Sequence, residues 1–223
     1  MASERVSGAP VDSYGGYRIR LVEALREKGI RDLAVLKAVS EVPRHLFVSA
    51  SLRAQAYEDT SLPIGNGQTI SQPSTQARSL EALRLNGRER VLEIGMGSGY
   101  QTALLAHLAG QVFAIERIPS LAEGAQAALA AAGIRNVSIL VGDGTLGWRA
   151  YAPYDAMVVA AASPDVPQPL LEQLAPGGRL LVPLGPKDAQ VLTLVTFSGE
   201  GLVRTPVADA RFVPLLGRHG FDA

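Results

Sequence analysis

The sequence predicts an α/β fold in which a doubly wound, mostly parallel sheet of seven strands has helices on both faces. Short apolar runs alternate with helical patterns through the second half of the chain, and parallel sheets require this order. The last strands follow one another without a long helix between them, so we expect an antiparallel edge there. Two helical patterns and a third helix precede the first of these strands, which predicts additional N-terminal helices.

The expected helices have apolar side chains three or four positions apart. They cover residues 17–28, 33–42, 73–85, 100–109, 121–132 and 169–174. Gly29 ends the first helix, Asp32 is a plausible N-cap for the second, and Pro73 fits the first turn of the third. Residues 44–68 look irregular. The expected strands are 90–94, 112–115, 137–141, 155–160, 179–183, 191–196 and 202–207.

The chain length of 223 residues fits one domain. Residues 1–15 are small and polar, so we expect a flexible N-terminal tail. The rest, residues 16–223, is expected to form a single domain. Within it, residues 16–88 supply helices and a turn-rich loop, and residues 89–223 supply the sheet core and the C-terminal strands.

Composition limits the classes of partner. The formal net charge is +0, which offers no overall basic surface for nucleic acid. The chain has no cysteine, so disulfides and thiolate chemistry are excluded. It has no pattern typical of a signal peptide and no apolar run approaching about 18 residues. We expect a cytoplasmic protein that binds neither nucleic acid nor membrane, with a monomer favoured.

A glycine-rich turn follows the first strand of the predicted sheet, where open α/β sheets bind ligands. Gly95, Gly97 and Gly99 permit positive φ and a close approach of a ligand to the backbone. The helix that follows offers unpaired N–H groups at its start. The dinucleotide fingerprint G-x-G-x-x-G would need a glycine where Tyr100 stands, which disfavours an NAD-dependent oxidoreductase.

The pattern E-x-G-x-G-x-G from Glu93 to Gly99 resembles motif I of the class I, Rossmann-like methyltransferases. The resemblance implies S-adenosyl-L-methionine as the cofactor and S-adenosyl-L-homocysteine as its product. Glu116 ends the next strand, where a carboxylate can accept hydrogen bonds from both ribose hydroxyls. Asp143 follows the third strand, where an acidic residue commonly faces the adenine amino group in those enzymes.

The chain lacks the motifs and residue types that several classes of methyl acceptor require, and this limits the possible acceptors. Methyltransferases acting on bases or glutamine often carry Asn/Asp-Pro-Pro-Tyr after the fourth strand, but here residues 159–164 read Val-Ala-Ala-Ala-Ser-Pro. A carbon acceptor on RNA usually requires a cysteine. No tight Asp/Asn cluster indicates the metal of catechol-type enzymes, so we expect no metal. A carboxylate acceptor fits, because it is already ionised near neutral pH and needs positioning rather than a general base.

Over about residues 17–217 the chain is similar to the protein-L-isoaspartate (D-aspartate) O-methyltransferases. The most distinctive stretch is Gly-Gln-Thr-Ile-Ser-Gln-Pro at residues 67–73, and further matches lie at 42–44, 62–65, 142–144, 173–178 and 211–215. The resemblance implies a repair enzyme that methylates the α-carboxyl of L-isoaspartyl and D-aspartyl residues in damaged proteins and peptides, which would be its partners.

The same resemblance implies the site residues. The loop before the motif I strand folds over the cofactor in that family, and its serine, here Ser71, faces the substrate carboxylate as the catalytic residue. Alternatively, Ser71 is the N-cap of the helix at Pro73. The expected substrate-binding residues are Gln68, Thr69, Ser71 and Val213. The expected cofactor-binding residues are Ile70, Glu93, Gly95, Met96, Gly97, Ser98, Gly99, Glu116, Arg117, Asp143 and Gly144.

Two departures from the family keep alternatives open. Ser74 stands where an aromatic residue is expected, which leaves room for a related methyltransferase with a different carboxyl or modified-peptide acceptor. Met96 stands where a small threonine is usual, either to pack on the cofactor or to fill a core gap. A non-catalytic cofactor-binding module is a further alternative, although the intact motifs argue against it.

Overall fold

A computed structural model of the protein describes residues 13–198 and 201–222. The expected tail therefore lies largely outside the described residues, at 1–12. Its predicted end at residue 15 is too late, because helix α1 begins at Gly15 and the Tyr14 ring stacks on His45 with 3.9 Å between ring centroids. Tyr14 and Gly15 thus belong to the folded chain.

The described residues form six α-helices, which are α1 Gly15–Glu27, α2 Leu33–Glu41, α3 Pro73–Leu83, α4 Tyr100–Leu108, α5 Pro119–Ala131 and α6 Gln168–Leu171. Short 3-10 helices span Arg44–Phe47, Ala50–Gln55, Gly144–Leu146 and Arg149–Tyr151. The strands are β1 Leu62–Gly65, β2 Gln68–Ile70, β3 Arg90–Ile94, β4 Gln111–Glu116, β5 Val137–Val141, β6 Tyr154–Val159, β7 Leu174–Leu184, β8 Gln190–Ser198 and β9 Gly201–Ala210.

The main sheet has seven strands in the order β5-β4-β3-β6-β7-β8-β9. Strands β5, β4, β3, β6 and β7 are parallel, whereas β8 is antiparallel to both β7 and β9. The predicted fold class is therefore confirmed. The chain runs outward from β3 to β5 and then returns to the other side of β3 for β6, so the strand order reverses at β3. Open α/β sheets bind ligands at the carboxyl ends of the strands beside such a reversal.

Alternate side chains of the strands pack on opposite faces, as a period of two requires. Val91, Val112 and Ala156 lie in one core cluster with residues of α1 to α5. Leu92, Phe113 and Met157 lie in the other cluster, which is covered by α6 and the C-terminal segment. The sheet is thus doubly wound, with most helices on one face.

The structure corrects the prediction that residues 44–68 are irregular. This region contains two 3-10 helices and the first strand of an antiparallel hairpin, β1–β2. The hairpin turn is Asn66-Gly67, and both residues have positive φ, +52° and +69°. An Asn-Gly pair is a strong turn signal because both residues tolerate this conformation.

The prediction for the short helix 169–174 is partly wrong, because α6 spans Gln168–Leu171 and β7 already begins at Leu174. Strand β7 is consequently longer than the expected 179–183. Its pairing with β6 shifts register between Tyr154 and Ala156, and Gly177 has a φ of +74°. The irregular start of β7 hides its strand character in the sequence, since Pro176 and Gly177 read as a turn.

Helix α3 is capped by a distant carboxylate. Its N-cap residue, Gln72, makes no side-chain capping bond. Instead, Asp59 Oδ1 accepts a hydrogen bond of 2.8 Å from Ser74 N, and the Asp59 carboxylate also pairs with Lys28. The alternative that Ser71 is the N-cap is therefore wrong. Ser74, in place of the expected aromatic residue, is buried at this helix start.

We predict that Asp59→Ala lowers the free energy of unfolding by about 1 kcal/mol, because the α3 start loses its acceptor. Burial tends to raise the pKa of Asp59, but hydrogen bonds from Lys28 and Ser74 outweigh this and lower it from its usual value. A lowered pKa means that the stabilisation is complete above about pH 3.9, the unfolded value, and disappears as pH falls through the folded value.

Urea denaturation of both proteins at several pH values measures this effect. Asp32→Ala is the matched control, since Asp32 caps α2 by accepting hydrogen bonds from Ala34 N and Val35 N. Equal midpoints for the wild type and Asp59→Ala at neutral pH would contradict the capping role of Asp59.

Candidate active site

A cavity lies at the carboxyl ends of β3, β4 and β6, beside the reversal of strand order. Seven residues predicted from the sequence line it, namely Gln68, Gly95, Gly97, Glu116, Arg117, Gly144 and Val213. The cavity also has an apolar wall that includes Ile115, Ile118, Ala161 and Leu215. These four residues are not among those predicted from the sequence. Ile115 ends one expected strand, Ala161 directly follows another, and Leu215 lies in a segment that carries the family resemblance.

The glycine turn has the conformation that its sequence predicts. Gly95, Gly97 and Gly99 have φ values of +83°, +57° and +88°. A Cβ atom at Gly97 would lie 3.2 Å from Ile64 Cδ1 of the hairpin, and one at Gly99 would lie 3.1 Å from Ala125 Cβ of α5. Glycine at these positions therefore allows both the backbone conformation and the close contact with neighbouring elements.

Glu116 lies at the end of β4 with its side chain buried against the glycine turn. Its Oε2 accepts a hydrogen bond of 2.8 Å from Gly97 N, and its Oε1 accepts one of 2.9 Å from Ile118 N. These bonds fix the carboxylate at the cavity. An ionised carboxylate has about four acceptor positions, so two remain for hydroxyl groups of a ligand.

Glu93 does not line the cavity. Its side chain is fully buried between β3 and α4, where it accepts hydrogen bonds from Thr102 Oγ1 at 2.6 Å and Gln101 Nε2 at 3.2 Å. Burial raises the pKa of Glu93 to about 8, although both hydrogen bonds act in the opposite direction. The geometry thus supports a role in joining β3 to α4 beneath the turn, rather than the predicted contact with the cofactor.

Asp143 holds the C-terminal segment against the end of β5. Its carboxylate accepts hydrogen bonds from Thr145 N, Thr145 Oγ1 and Arg218 N, at 2.9, 2.7 and 2.8 Å. Burial tends to raise the pKa of Asp143, but the bonds from Arg218 and Thr145 outweigh this and lower it. The predicted contact of Asp143 with adenine stays a prediction, whereas its neighbour Gly144 does line the cavity.

The predicted site residues of the hairpin and of the segment after it differ in their burial and in their distance from the cavity. Gln68 lines the cavity, Thr69 is exposed, and Ile70 is buried in the core cluster. Ser71 follows β2 and is half-buried, and its carbonyl oxygen accepts a hydrogen bond of 2.8 Å from Arg44 Nη2. Ser71 therefore follows the hairpin that contributes Gln68 to the cavity, but Ser71 itself is not among the lining residues.

Three further predicted site residues lie in the glycine turn and the C-terminal segment. Met96 is buried in the same core cluster as Ile70, which favours the core-filling interpretation. Ser98 lines a separate cavity of about 680 Å³ between the hairpin and α5. The Val213 carbonyl accepts a hydrogen bond of 2.8 Å from Ala162 N, so its backbone contact to a peptide would have to use the N–H group.

Two features are absent from the described residues. Residues 13–198 and 201–222 contain no group of three His, Asp or Glu side chains placed to hold a metal ion. Within the same ranges, no helix has the length and hydrophobicity needed to cross a bilayer.

Comparisons with known proteins point to one family. The sequence model of the family "Protein-L-isoaspartate(D-aspartate) O-methyltransferase (PCMT)" matches residues 18–220. A protein-L-isoaspartate O-methyltransferase of Dictyoglomus thermophilum is 49% identical over 93% of this chain and 94% of its own length. A protein of the same name from Methanoculleus marisnigri is 52% identical over 89% of this chain and 90% of its own length.

Solved structures of proteins with the same name resemble the fold of this chain. A protein-L-isoaspartate O-methyltransferase superposes with a TM-score of 0.83 at 32% identity, covering 91% of this chain and 67% of its own. A Plasmodium falciparum structure of this kind, in complex with S-adenosyl-L-homocysteine, has a TM-score of 0.78 at 26% identity. The latter match covers 88% of this chain and 97% of the other.

We predict that Glu93→Gln makes the protein more stable at mildly alkaline pH. Because the folded pKa lies above the ordinary value of 4.5, the folded state retains a proton that the unfolded state loses. Stability contributed by this proton is complete below about pH 4.5 and is lost as pH rises through about 8. The stability of the wild type should therefore fall, relative to the variant, from about pH 5 to about pH 8.5.

Denaturation curves across this range provide the test. Glu89→Gln is the matched control, because the pKa of Glu89 is shifted in the opposite direction. Hydrogen bonds from Asn86 and Arg179 outweigh the effect of burial and lower the pKa of Glu89. Parallel pH profiles for the wild type and Glu93→Gln would show that Glu93 is ionised in the folded protein.

Proposed function

The chain belongs to the protein-L-isoaspartate(D-aspartate) O-methyltransferase family, and we propose that it methylates the α-carboxyl of L-isoaspartyl and D-aspartyl residues in damaged proteins. The methyl donor is S-adenosyl-L-methionine, which leaves as S-adenosyl-L-homocysteine. The observation that supports this function best is the Glu116 carboxylate, which is fixed by Gly97 N beside a cavity that Gln68 and Val213 also line.

The residues that line the cavity suit an adenosyl cofactor. Glu116 has free acceptor positions for the two ribose hydroxyls, and Gly95 and Gly97 allow a close approach to the backbone. The apolar wall at Ile115 and Leu215 suits a flat, apolar ring. When bound, the cofactor supplies a methyl group that its sulfonium charge activates.

The acceptor group explains why the site contains little acid–base machinery. The titratable side chains that line the cavity are Glu116 and Arg117, and backbone donors already hold Glu116. A carboxylate substrate is ionised near neutral pH and needs no base to remove a proton. The protein therefore acts by aligning the substrate oxygen and excluding water, and Ser71 is proposed to donate a hydrogen bond that orients the carboxylate.

Glu93 and Asp143 act indirectly in this proposal. Glu93 keeps the start of α4 in place through Thr102, which fixes the glycine turn from below. Asp143 fixes the segment after Val213 through Arg218 N, which keeps the cavity wall closed. We also propose that the protein works as a cytoplasmic monomer, and light scattering on the purified protein would test its oligomeric state.

The central prediction concerns substrate choice. The purified protein is expected to transfer labelled methyl from S-adenosyl-L-methionine to an isoaspartyl peptide but not to the matching aspartyl peptide. The two peptides differ only in the position of the carboxyl group, so the comparison isolates recognition of the damaged residue. Equal labelling of both peptides, or cofactor binding without labelling of either, would reject this function.

A matched pair of variants separates substrate from cofactor contacts. Ser71→Ala is expected to lower kcat/KM for the isoaspartyl peptide by about 100-fold through loss of alignment, with cofactor affinity nearly unchanged. Glu116→Gln is expected to weaken the cofactor, because one acceptor oxygen becomes a donor. Steady-state kinetics and calorimetry with S-adenosyl-L-homocysteine measure the two effects. A collapse of cofactor affinity in Ser71→Ala would assign Ser71 to the cofactor instead.

A further inference from the structure

Arg44 is a buried cation outside the cavity. Its side chain is fully buried, and the ion pairs among the described residues do not include it. Its Nε atom has no hydrogen-bond partner in the part of the chain that the structure describes. Burial lowers the pKa of Arg44 from its ordinary value, while Tyr100 and Asp59 act to raise it. Charged side chains are rarely buried without a paired charge, so this arrangement requires an explanation.

The contacts of Arg44 join the two loops of the proposed active site. Nη2 donates a hydrogen bond of 2.8 Å to the Ser71 carbonyl, at the end of the hairpin. Nη1 donates one of 2.8 Å to Gln76 Oε1 on α3. The guanidinium carbon lies 4.5 Å from the centre of the Tyr100 ring, and Tyr100 directly follows the last glycine of the turn.

The guanidinium itself is held firmly. Arg44 begins the 3-10 helix Arg44–Phe47, and the Phe47 ring packs against Tyr100 with 5.7 Å between ring centroids. The planar fork of an arginine is rigid, and a hydrogen bond from a charged donor is stronger than one between neutral groups. The position of the Ser71 main chain is therefore fixed relative to Tyr100.

Stability alone does not account for this arrangement. Asp59 is the acidic residue that acts on Arg44, but its carboxylate pairs with Lys28 and caps α3. The acceptor on α3 is the neutral side chain of Gln76. Even a buried ion pair can often be replaced by well-packed apolar side chains without loss of stability, because desolvation offsets the attraction between the charges. A buried cation bound to neutral acceptors has less to offset its desolvation, so its presence suggests a geometric requirement.

We propose that Arg44 is a positioning residue that fixes Ser71 relative to the glycine turn. It would keep the serine hydroxyl aligned with the position of the methyl donor while touching neither substrate nor cofactor. The inference rests on the proposed function, in which Ser71 orients the substrate carboxylate.

The test compares Arg44→Met and Arg44→Lys with the wild type. Arg44→Met is expected to lower kcat/KM for the isoaspartyl peptide by about 10- to 100-fold, because Ser71 loses its alignment. Arg44→Lys keeps the charge but not the fork, so it should recover only part of this loss. The affinity for S-adenosyl-L-homocysteine, measured by calorimetry, should change by less than about threefold in both variants.

Arg179→Met is the matched control. Arg179 also donates hydrogen bonds to backbone carbonyls, those of Leu83 and Arg84, and it pairs with Glu89. It lies near the amino ends of the strands, at Ala156 of β6, and thus far from the cavity end of the sheet. Arg179→Met should lower thermal stability and leave kcat/KM within about threefold of the wild type.

A double-mutant cycle shows whether Arg44 acts through Ser71. In a Ser71→Ala background, Arg44→Met should lower kcat/KM by less than about threefold further, because the alignment that it supports is already lost. The same loss in both backgrounds, or an equal loss of cofactor affinity, would overturn the proposal. If Arg44→Met does not fold, Gln76→Leu removes one of the two acceptors and should give a smaller effect of the same pattern.

Hydrogen exchange tests the proposal without any substrate. Amides in residues 68–74 should exchange faster in Arg44→Met than in the wild type, and should be unchanged in Arg179→Met. Unchanged exchange in the Arg44 variant would reject the positioning role. If the wild type does not distinguish isoaspartyl from aspartyl peptides, the proposed function fails, while the exchange result still decides the role of Arg44.

Discussion

The hydrogen bond between Gly97 N and the Glu116 carboxylate is the constraint on which the site depends. It joins the turn after β3 to the end of β4, and it forms only if the backbone passes close to the carboxylate with a positive φ at Gly97. The same glycine leaves room for Ile64, so the hairpin can lie directly on the turn. Gly97 thus brings the Glu116 carboxylate and the β1–β2 hairpin together at one edge of the sheet.

The features that the sequence predicts well are those encoded locally. Short apolar runs that alternate with helical patterns locate the strands of the main sheet. The rule that ligands bind at the carboxyl ends of parallel strands then locates Gly95, Glu116 and Gly144. The sequence does not predict the hairpin, because β1 and β2 have only four and three residues, too few for a pattern of alternating apolar and polar residues. The Asn66-Gly67 turn was the available signal.

Side-chain roles are harder to predict, because the partner of each side chain is set by how the elements pack in three dimensions. The sequence identifies Glu93 and Asp143 as acidic residues near strand ends, but it does not show where their carboxylates point. Thr102 lies on the face of α4 toward β3, and Arg218 is 75 positions from Asp143. These contacts orient both carboxylates. Motif position therefore predicts proximity to the cofactor, whereas direct contact depends on tertiary packing.

Two buried ionisable groups flank the start of α4, and neither has an opposing charge in an ion pair among the described residues. Glu93 lies beneath the glycine turn, bound by neutral donors, and Arg44 lies over Tyr100, bound by neutral acceptors. Such burial lowers stability, and natural proteins tolerate it chiefly where function requires a fixed geometry. A reaction between an ionised carboxylate and an activated methyl group needs alignment more than proton transfer. The two destabilising buried groups accordingly lie outside the cavity. Glu93 supports the glycine turn, and Arg44 supports the end of the β1–β2 hairpin.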